Sequence, residues 1–426
     1  MYFKKHYVYN IKTFIKFLIL RFFYFINILK NRKFNLLYLN KLKEKNQYLY
    51  TINSDSLGGT IMQITYLYKI CKIYNLNIKK SFHIIGNKKC NKFLLKKLND
   101  EIKINYNNKL YDHLTKLGQF NYFVKNKIGV PYPNDYLNFL PYDDYSISFN
   151  DSEKEYGFKL LEKLNVKEGD NVVAVSWKSN FYWSLRGKKK SWDTYRFSDP
   201  TNLESGLKFL TNKNYKIVLV GDNEKCKLNE LYPSVSNLSG NEREFLDIFI
   251  FSIVKFNILG EQGLKPLPNL FEKKTLHHNA LAPKWQCQDI LLPKIFVDTK
   301  SSKIIEYDEL IKRRLLILRS DENNIKLEFL EPLLFNNIDY FEYVGIKLKQ
   351  NSPDEIKNGI MEVEELFLKG DLNLTREQKK IQSLYRSKFN NYYTKNKTSK
   401  YNNFNYGLNF GGYVSPYFLK KYKFLF

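Results

Sequence analysis

Hydrophobic and polar positions near the start of the chain follow a strand, turn, helix, strand order. Residues 47–52 predict a strand, and a polar turn with two glycines spans 53–59. Apolar positions at helical spacing predict a helix over 60–76, and a second apolar run predicts a strand over 80–86. A strand–helix–strand unit implies a parallel sheet, so we expect an α/β domain here.

A second α/β series begins after a predicted helix and turn at 153–171. The expected strands are 172–177, 215–222 and 255–260, and the expected helices are 201–214 and 242–254. The two series together predict two Rossmann-like, doubly wound halves with a boundary near 150–170.

The most hydrophobic stretch, residues 11–34, lies before both series. Lys12, Lys16 and Arg21 interrupt it, and its charge-free run over 22–29 is far below the ~20 residues that span a bilayer. We expect a basic amphipathic helix on an anionic membrane surface, and a helix packed on the protein body is the alternative. The expected segments are 1–45 for this helix, 46–165 and 166–365 for the two α/β domains, and 366–426 for C-terminal helices and a tail.

The composition of the chain limits the kinds of binding partner that we expect. The 426 residues suit two domains, and the net charge of +26 favours a polyanionic partner. Because Lys, Asn, Ile and Tyr are all abundant, as in A/T-rich coding, much of the lysine excess is expected to be solvated surface. No nucleic-acid-binding signature is present, so we expect no specific nucleic-acid partner. The four cysteines form no CxxC pair, which predicts free thiols in a reducing compartment.

Polar turns follow the three strands of the second series, at the strand ends where parallel sheets bind ligands. They contain Lys178, the pair Gly221 and Asp222, and the stretch 260–263. Glycines let the backbone approach a ligand, and N–H groups at a helix start attract phosphate. Glu261 would be repelled by phosphate, so we assign it to the hydroxyls of a sugar or ribose.

Basic residues surround the first of these turns, and Arg196 is the best positioned of them because Tyr195 and Phe197 flank it. An arginine of this kind can stabilise a leaving diphosphate without a metal. The chain has neither a GxGxxG fingerprint nor a GxxxxGK[ST] motif, so NAD binding and P-loop ATPase activity lack support.

His277 and His278 are adjacent, so their rings point in different directions, and no Asp or Glu stands at a familiar metal-ligand spacing. We therefore do not favour a metal site. Asn279, followed by Pro283, is expected to shape a loop beside the ligand.

A series of spaced motifs runs from about residue 170 to 365. It contains an Arg-x-Ser-Asp pattern (Arg196, Ser198, Asp199), NYKIVLVGD, the residues Asp247, Phe256, Gly260, Gly263 and Leu264, then DILLPK and NSPDEIKNGIMEVEEL. The order and spacing resemble those of a largely uncharacterised group of bacterial glycosyltransferases of the two-domain GT-B type.

The resemblance implies two Rossmann-like domains facing a cleft, with a C-terminal segment that can cross back to the first domain. The first domain would bind the acceptor and the second a nucleotide sugar. The implied reaction moves a sugar from that donor to a hydroxyl of a cell-surface polysaccharide or lipid-linked acceptor, with no cofactor or metal. The implied location is the inner face of the cytoplasmic membrane.

The resemblance also implies roles for individual residues. Asp55 is the candidate base on the acceptor side, beside Gly58 and Gly59, and an exposed aspartate that only forms the turn is the alternative. Arg196 and Lys178 would stabilise the leaving phosphates. The expected donor-binding set is Ser198, Asp199, Gly221, Asp222, Gly260, Glu261, Gln262, Gly263, Leu264 and Asn279.

Two departures from the family pattern leave alternatives open. Where the family's first strand ends in a His-x-Arg-Asp type sequence, this chain has Ser176, Lys178 and Ser179, and Gln262 replaces a serine. These changes indicate either a different sugar specificity or lost activity. A catalytically inactive, membrane-associated binding or scaffold protein is therefore the first rival, and a basic nucleic-acid-binding protein is the second.

Overall fold

The computed structural model places two compact units, Met1–Pro133 and Asn134–Phe426. Within them the structure describes residues 48–52, 54, 56–73, 75–87, 90–111, 146–179, 195–221, 226–280, 289–306, 309, 316–321, 324–329, 345–384 and 412–425. The predicted membrane-surface segment 1–45 lies outside the described residues. No helix in the described part of the chain is long and apolar enough to cross a membrane.

Unit 1 contains the predicted strand–helix–strand element and one more strand. Its three-stranded parallel sheet has the order β1-β2-β3. The elements in chain order are β1 (Tyr48–Ile52), α1 (Leu57–Ile73), α2 (Ile78–Ser81), β2 (Phe82–Gly86), α3 (Lys92–Ile102) and β3 (Asn105–Tyr106).

Unit 2 is built on a six-stranded parallel sheet with the order β13-β8-β7-β6-β4-β5. The strands are β4 (Asn171–Ser176), β5 (Tyr215–Leu219), β6 (Phe256–Leu259), β7 (Lys274–Ala280), β8 (Asp289–Pro293) and β13 (Tyr413–Val414). Two antiparallel pairs lie outside this sheet. They are β9 (Ile295–Asp298) with β12 (Ile346–Lys349), and β10 (Leu316–Asp321) with β11 (Asn324–Phe329).

Helices precede, connect and follow these strands in unit 2. They are α4 (Asp151–Glu162), α5 (Glu204–Asn212), α6 (Lys227–Leu231), α7 (Gly240–Ile253), α8 (Pro353–Lys369), α9 (376–384) and α10 (Pro416–Lys421). Short 3-10 turns occupy Pro200–Leu203, Val235–Asn237, Pro268–Phe271 and Lys423–Leu425.

The strand order of unit 2 creates a switch point. From β4 the chain passes through α5 to β5 on one side, and then returns through α7 to β6 on the other side of β4. Because such crossovers are right-handed, α5 and α7 must cover opposite faces of the sheet. The crevice beyond the carboxyl ends of β4 and β6 is the place where folds of this kind bind ligands.

The core on the α7 face is aromatic. Phe149, Phe245 and Phe249 pack with ring centroids 5.0–5.8 Å apart. Helix α4 joins this cluster at Gly157, where an added Cβ would come within 2.3 Å of the Phe249 ring. Residues 146–165, assigned from the sequence to the first domain, therefore pack in unit 2.

The end of the chain also belongs to unit 2. Strand β13 pairs with β8, and the Gln382 side chain on α9 bonds both backbone groups of Val414. Glu355 on α8 accepts hydrogen bonds from Lys421 Nζ at 2.7 Å and Tyr422 Oη at 2.6 Å. These contacts hold the described part of the predicted segment 366–426 against the large sheet.

The prediction of an α/β fold with parallel sheets flanked by helices is confirmed. The predicted strands and helices are present within a few residues of their expected bounds. One local prediction is wrong, because residues 276–280 belong to β7 and do not form a loop. The expected arrangement of two domains around a cleft stays a prediction.

Gly157→Ala tests the packing of α4 on α7. Alanine favours a helix by about 1 kcal/mol over glycine, but overpacking a core costs about 1–3 kcal/mol. We expect the free energy of unfolding in urea to fall by about 1–2 kcal/mol, because the Phe249 ring is buried among other rings. Glu155→Ala, on the exposed face of the same helix, should change it by less than about 0.5 kcal/mol. A stabilised Gly157→Ala protein would contradict this packing.

Candidate functional site

The carboxyl ends of β4, β5 and β6 meet at the switch point. The Gly260 N–H donates to the Ser176 carbonyl at 2.9 Å, and an added Cβ on Gly260 would contact the Trp177 Cα at 3.3 Å. Gly221 has φ +85°, and its missing side chain would meet Leu264 at 3.0 Å. The turns at Lys178, Gly221 and Gly260 that the sequence singled out are therefore brought together.

Glu261 is the carboxylate of this site. Its side chain is 23% exposed, and Lys265 Nζ lies 3.3 Å from its Oε2. Burial alone would raise the pKa of the Glu261 carboxyl, but the charges of Lys265, Arg196 and His277 outweigh burial and lower it to about 2. The site thus presents an ionised hydrogen-bond acceptor among cations at neutral pH.

The segment that carries Arg196 is attached to the same edge. Arg196 Nε donates to the Glu261 carbonyl at 3.1 Å, and the Ser198 N–H donates to the Lys178 carbonyl at 2.9 Å. Lys294, which follows β8, donates from Nζ to two further carbonyls of the segment, at Tyr195 (2.8 Å) and Phe197 (2.7 Å). The predicted cations Lys178 and Arg196 therefore share one edge with Glu261.

His278 is a neutral hydrogen-bond link in this edge. Burial lowers its pKa to about 4, although the bond to the Ser176 carbonyl opposes this effect. The Ser176 carbonyl can only accept a hydrogen bond, so Nε2, 3.3 Å away, must donate it. Nδ1 of the neutral ring is then an acceptor, and it accepts from Asn279 Nδ2 at 3.2 Å. The imidazole thereby connects β7 to the end of β4.

His277 occupies the opposite face of β7. Its Nε2 donates to Asp289 Oδ2 on β8 at 2.9 Å, and both side chains are at most 2% exposed. The described residues contain no group of three or more His, Cys, Asp or Glu side chains that could hold a metal. The pair therefore joins two strands, and His277 lies close enough to Glu261 to help lower the pKa of that carboxyl.

Asn279 is held by a reciprocal pair of bonds. Its N–H donates to Asn351 Oδ1 at 2.6 Å, and the Asn351 N–H donates to Asn279 Oδ1 at 2.7 Å. Asn279 has φ +54°, a left-handed conformation that asparagine tolerates better than most residues. Its side chain is thus engaged inside the protein, and its expected role toward a ligand stays a prediction.

Several buried polar atoms at this edge have no hydrogen-bond partner within the described part of the chain. They are Trp177 Nε1, Ser198 Oγ, Gln262 Nε2 and His277 Nδ1. Trp Nε1 and an amide Nε2 can only donate, so a partner for them must carry acceptor atoms.

The remaining predicted residues lie in several places. Asp199 is exposed and caps a 3-10 turn, where its Oδ1 accepts from the N–H of Thr201 at 2.9 Å and from its hydroxyl at 2.7 Å. Gly263 faces open space, with nothing within 4 Å of an added Cβ. Asp222 lies outside the described residues.

The acceptor-side residues belong to unit 1. Gly58 and Gly59 lie in the first turn of α1, where the Gly59 N–H donates to Ser56 Oγ at 3.2 Å. The Ser54 N–H, two residues after β1, donates to Asn87 Oδ1 after β2 at 2.6 Å. Asp55, the predicted base, lies outside the described residues.

Sequence reasoning missed three residues of the site: Lys294, His278 as a structural link, and Asn351. The DILLPK and NSPDE motifs contained two of them, but nothing local showed that Lys294 or Asn351 points inward. Their partners lie 97–99 and 72 positions away in the chain.

No family model matches the sequence, and no curated protein matches it. The solved structures that are similar to this one include the following two. ADP-heptose lps heptosyltransferase II of E. coli has 10% identity and a TM-score of 0.32, covering 58% of this chain and 90% of that chain. A glycosyl transferase family 9 protein of Veillonella parvula has 8% identity and a TM-score of 0.43, covering 77% of this chain and 98% of that chain. Similarities this low carry no information about activity.

Glu261→Gln tests the ion pairs of the site. Because one pKa unit corresponds to 1.36 kcal/mol, we expect the free energy of unfolding at pH 7 to fall by about 1–3 kcal/mol. The folded pKa of about 2 lies below the unfolded value of 4.5, so this contribution is complete above pH 4.5 and is lost as pH falls toward 2. The difference between the wild type and Glu261→Gln should therefore shrink in denaturation series below pH 4.5.

Glu365→Gln is the matched control for this substitution. Glu365 pairs with Lys369 at the same i,i+4 spacing and at 2.9 Å, but the two side chains are 35% and 62% exposed. An exposed pair of this kind contributes less than about 1 kcal/mol. Equal losses from Glu261→Gln and Glu365→Gln would show that the site does not hold Glu261 in its ionised form.

Asn279→Gly tests the reciprocal asparagine bonds without backbone strain, because glycine accepts a positive φ. It leaves the Asn351 N–H and His278 Nδ1 without their partners, which should lower the free energy of unfolding by about 2–4 kcal/mol. Asn214→Gly is the control, since Asn214 is exposed and has φ +63°. That change should stay within about 0.5 kcal/mol, and a similar loss at both positions would contradict the role of the bonds.

Proposed function

We propose that this chain is a glycosyltransferase that moves a sugar from a nucleotide-sugar donor to an acceptor hydroxyl. The observation that carries the proposal is Glu261, kept ionised in a glycine turn among Arg196 and Lys265 at the switch point. A nucleotide sugar matches this mixture of charges. Its diphosphate suits the cations and the backbone N–H groups, and its hydroxyls suit the carboxylate.

In the proposed reaction the donor releases a negatively charged leaving group and the acceptor hydroxyl loses a proton. The acceptor oxygen attacks the anomeric carbon, the bond from that carbon to the diphosphate oxygen breaks, and the electron pair leaves with the nucleoside diphosphate. Arg196 and Lys178 then stabilise the negative charge that develops on the leaving group. The acceptor proton passes to a base, for which Asp55 stays the predicted residue.

Three finer features belong to the same proposal. The acceptor is a cell-surface polysaccharide or a lipid-linked glycan, and the enzyme works at the inner face of the cytoplasmic membrane. The basic, apolar segment over 11–34 supports that location. Cationic side chains at the leaving group support a reaction that needs no cofactor.

The test begins with a thermal-shift screen of the full chain against UDP, GDP, ADP, CMP and their sugars, with and without magnesium. A ligand at 100 times its Kd adds about 2.7 kcal/mol of stability. We expect one nucleotide to be selected, and its sugar to be hydrolysed or transferred. A folded protein that responds to none of them would refute the proposal and favour the inactive binding protein.

Substitution of Lys178 then tests its role in turnover. Lys178→Met should lower turnover of the selected donor at least tenfold, because a charge-assisted bond to the leaving group is lost. Lys213→Met is the control, since Lys213 pairs with Glu364 at 2.7 Å and is 47% exposed. Equal turnover by the two variants would remove Lys178 from the mechanism.

A further inference from the structure

Lys294 is a lysine in the protein interior. It is 3% exposed and follows β8 directly, where its N–H donates to the Ala280 carbonyl at 2.8 Å. Burial of an ammonium group is unfavourable unless its protons are hydrogen-bonded. The partners of this ammonium therefore indicate why a lysine stands here.

The two carbonyls that Lys294 Nζ binds lie on either side of Arg196. They belong to Tyr195 at 2.8 Å and Phe197 at 2.7 Å. A single ammonium thus holds the peptide unit before Arg196 and the one that follows Phe197. No apolar side chain could hold them, because carbonyls need a donor.

The same short segment is attached to the switch point by two other bonds. Arg196 Nε donates to the Glu261 carbonyl beyond β6, and the Ser198 N–H donates to the Lys178 carbonyl beyond β4. Lys294, directly after β8, provides the third attachment of this segment. The position of the Arg196 side chain is therefore fixed both by its own bond to the Glu261 carbonyl and by the bonds that Lys294 makes to the neighbouring backbone.

We propose that Lys294 is a positioning residue that holds the backbone around Arg196, so that the guanidinium lies beside the Glu261 turn and can bind an anionic ligand. Lys294 acts through Arg196 and does not itself bind the anion, since its ammonium group bonds the carbonyls of Tyr195 and Phe197. This role rests on the proposed function, in which Arg196 binds the diphosphate of the donor.

Amide hydrogen exchange tests the anchoring without any ligand. In Lys294→Met we expect at least tenfold faster exchange over residues 195–199, including the Ser198 amide, with little change in β4 and β6. Lys213→Met should leave exchange over 195–199 unchanged. Unchanged exchange in Lys294→Met would overturn the proposal. If that variant does not fold, Lys294→Gln, which is shorter and uncharged but keeps a donor, takes its place.

A double-mutant cycle tests the effect on binding. The probe is whichever of UDP, GDP and ADP binds the wild type most tightly. Arg196→Ala and Lys294→Met should each weaken binding about tenfold, and the double variant should be no weaker than Arg196→Ala alone. A loss of about a hundredfold in the double variant would show independent roles and overturn the proposal.

The two measurements also separate this inference from the proposed function. If the wild type binds no nucleotide, the proposed function fails, and the exchange experiment alone decides whether Lys294 holds the Arg196 segment. If the wild type binds a nucleotide and Lys294→Met binds it equally well, the proposed function stands and the positioning role is refuted.

Discussion

The parallel pairing of β4 with β6 is the constraint on which the rest of the site depends. Ser176 pairs with Leu259, and the next N–H along, that of Gly260, bonds the Ser176 carbonyl. A slip of one residue would turn every side chain of β6 to the other face of the sheet. The two strand ends stay close together at Gly260. An added Cβ on this residue would stand 3.3 Å from the Trp177 Cα and 3.4 Å from the Lys178 backbone nitrogen. A larger residue at Gly260 would require the neighbouring backbone to shift by a few tenths of an ångström.

The close approach of Gly260 to the end of β4 also affects the charge state of Glu261. Once Gly260 lies against the end of β4, Glu261 must leave the sheet beside the segment that carries Arg196, whose Nε bonds its carbonyl. Burial disfavours the charged carboxylate, and three nearby charges favour it by more. The ionised state therefore follows from strand register, because the register brings residues 65 positions apart into contact.

The elements of the fold could be predicted from the sequence because each buried strand is an apolar run and each helix has an apolar face. The sequence also indicated which strand ends carry polar turns. It could not show the strand order, since that depends on the direction of each crossover. It misplaced residues 276–280, because His277, His278 and Asn279 look like a polar loop. Their partners are distant in the chain: Asp289, Ser176 and Asn351.

The lysines are a second case in which the sequence alone does not show which residues belong to the site. A net charge of +26 describes the whole chain, but a charge on the solvated surface does little for a ligand. Among the lysines that the structure describes, Lys178 and Lys294 stand out because they are only 7% and 3% exposed. A buried ammonium persists only where acceptors satisfy it, so its place is dictated by backbone carbonyls. Composition counts every lysine equally, whereas burial identifies those whose charge acts on the switch point.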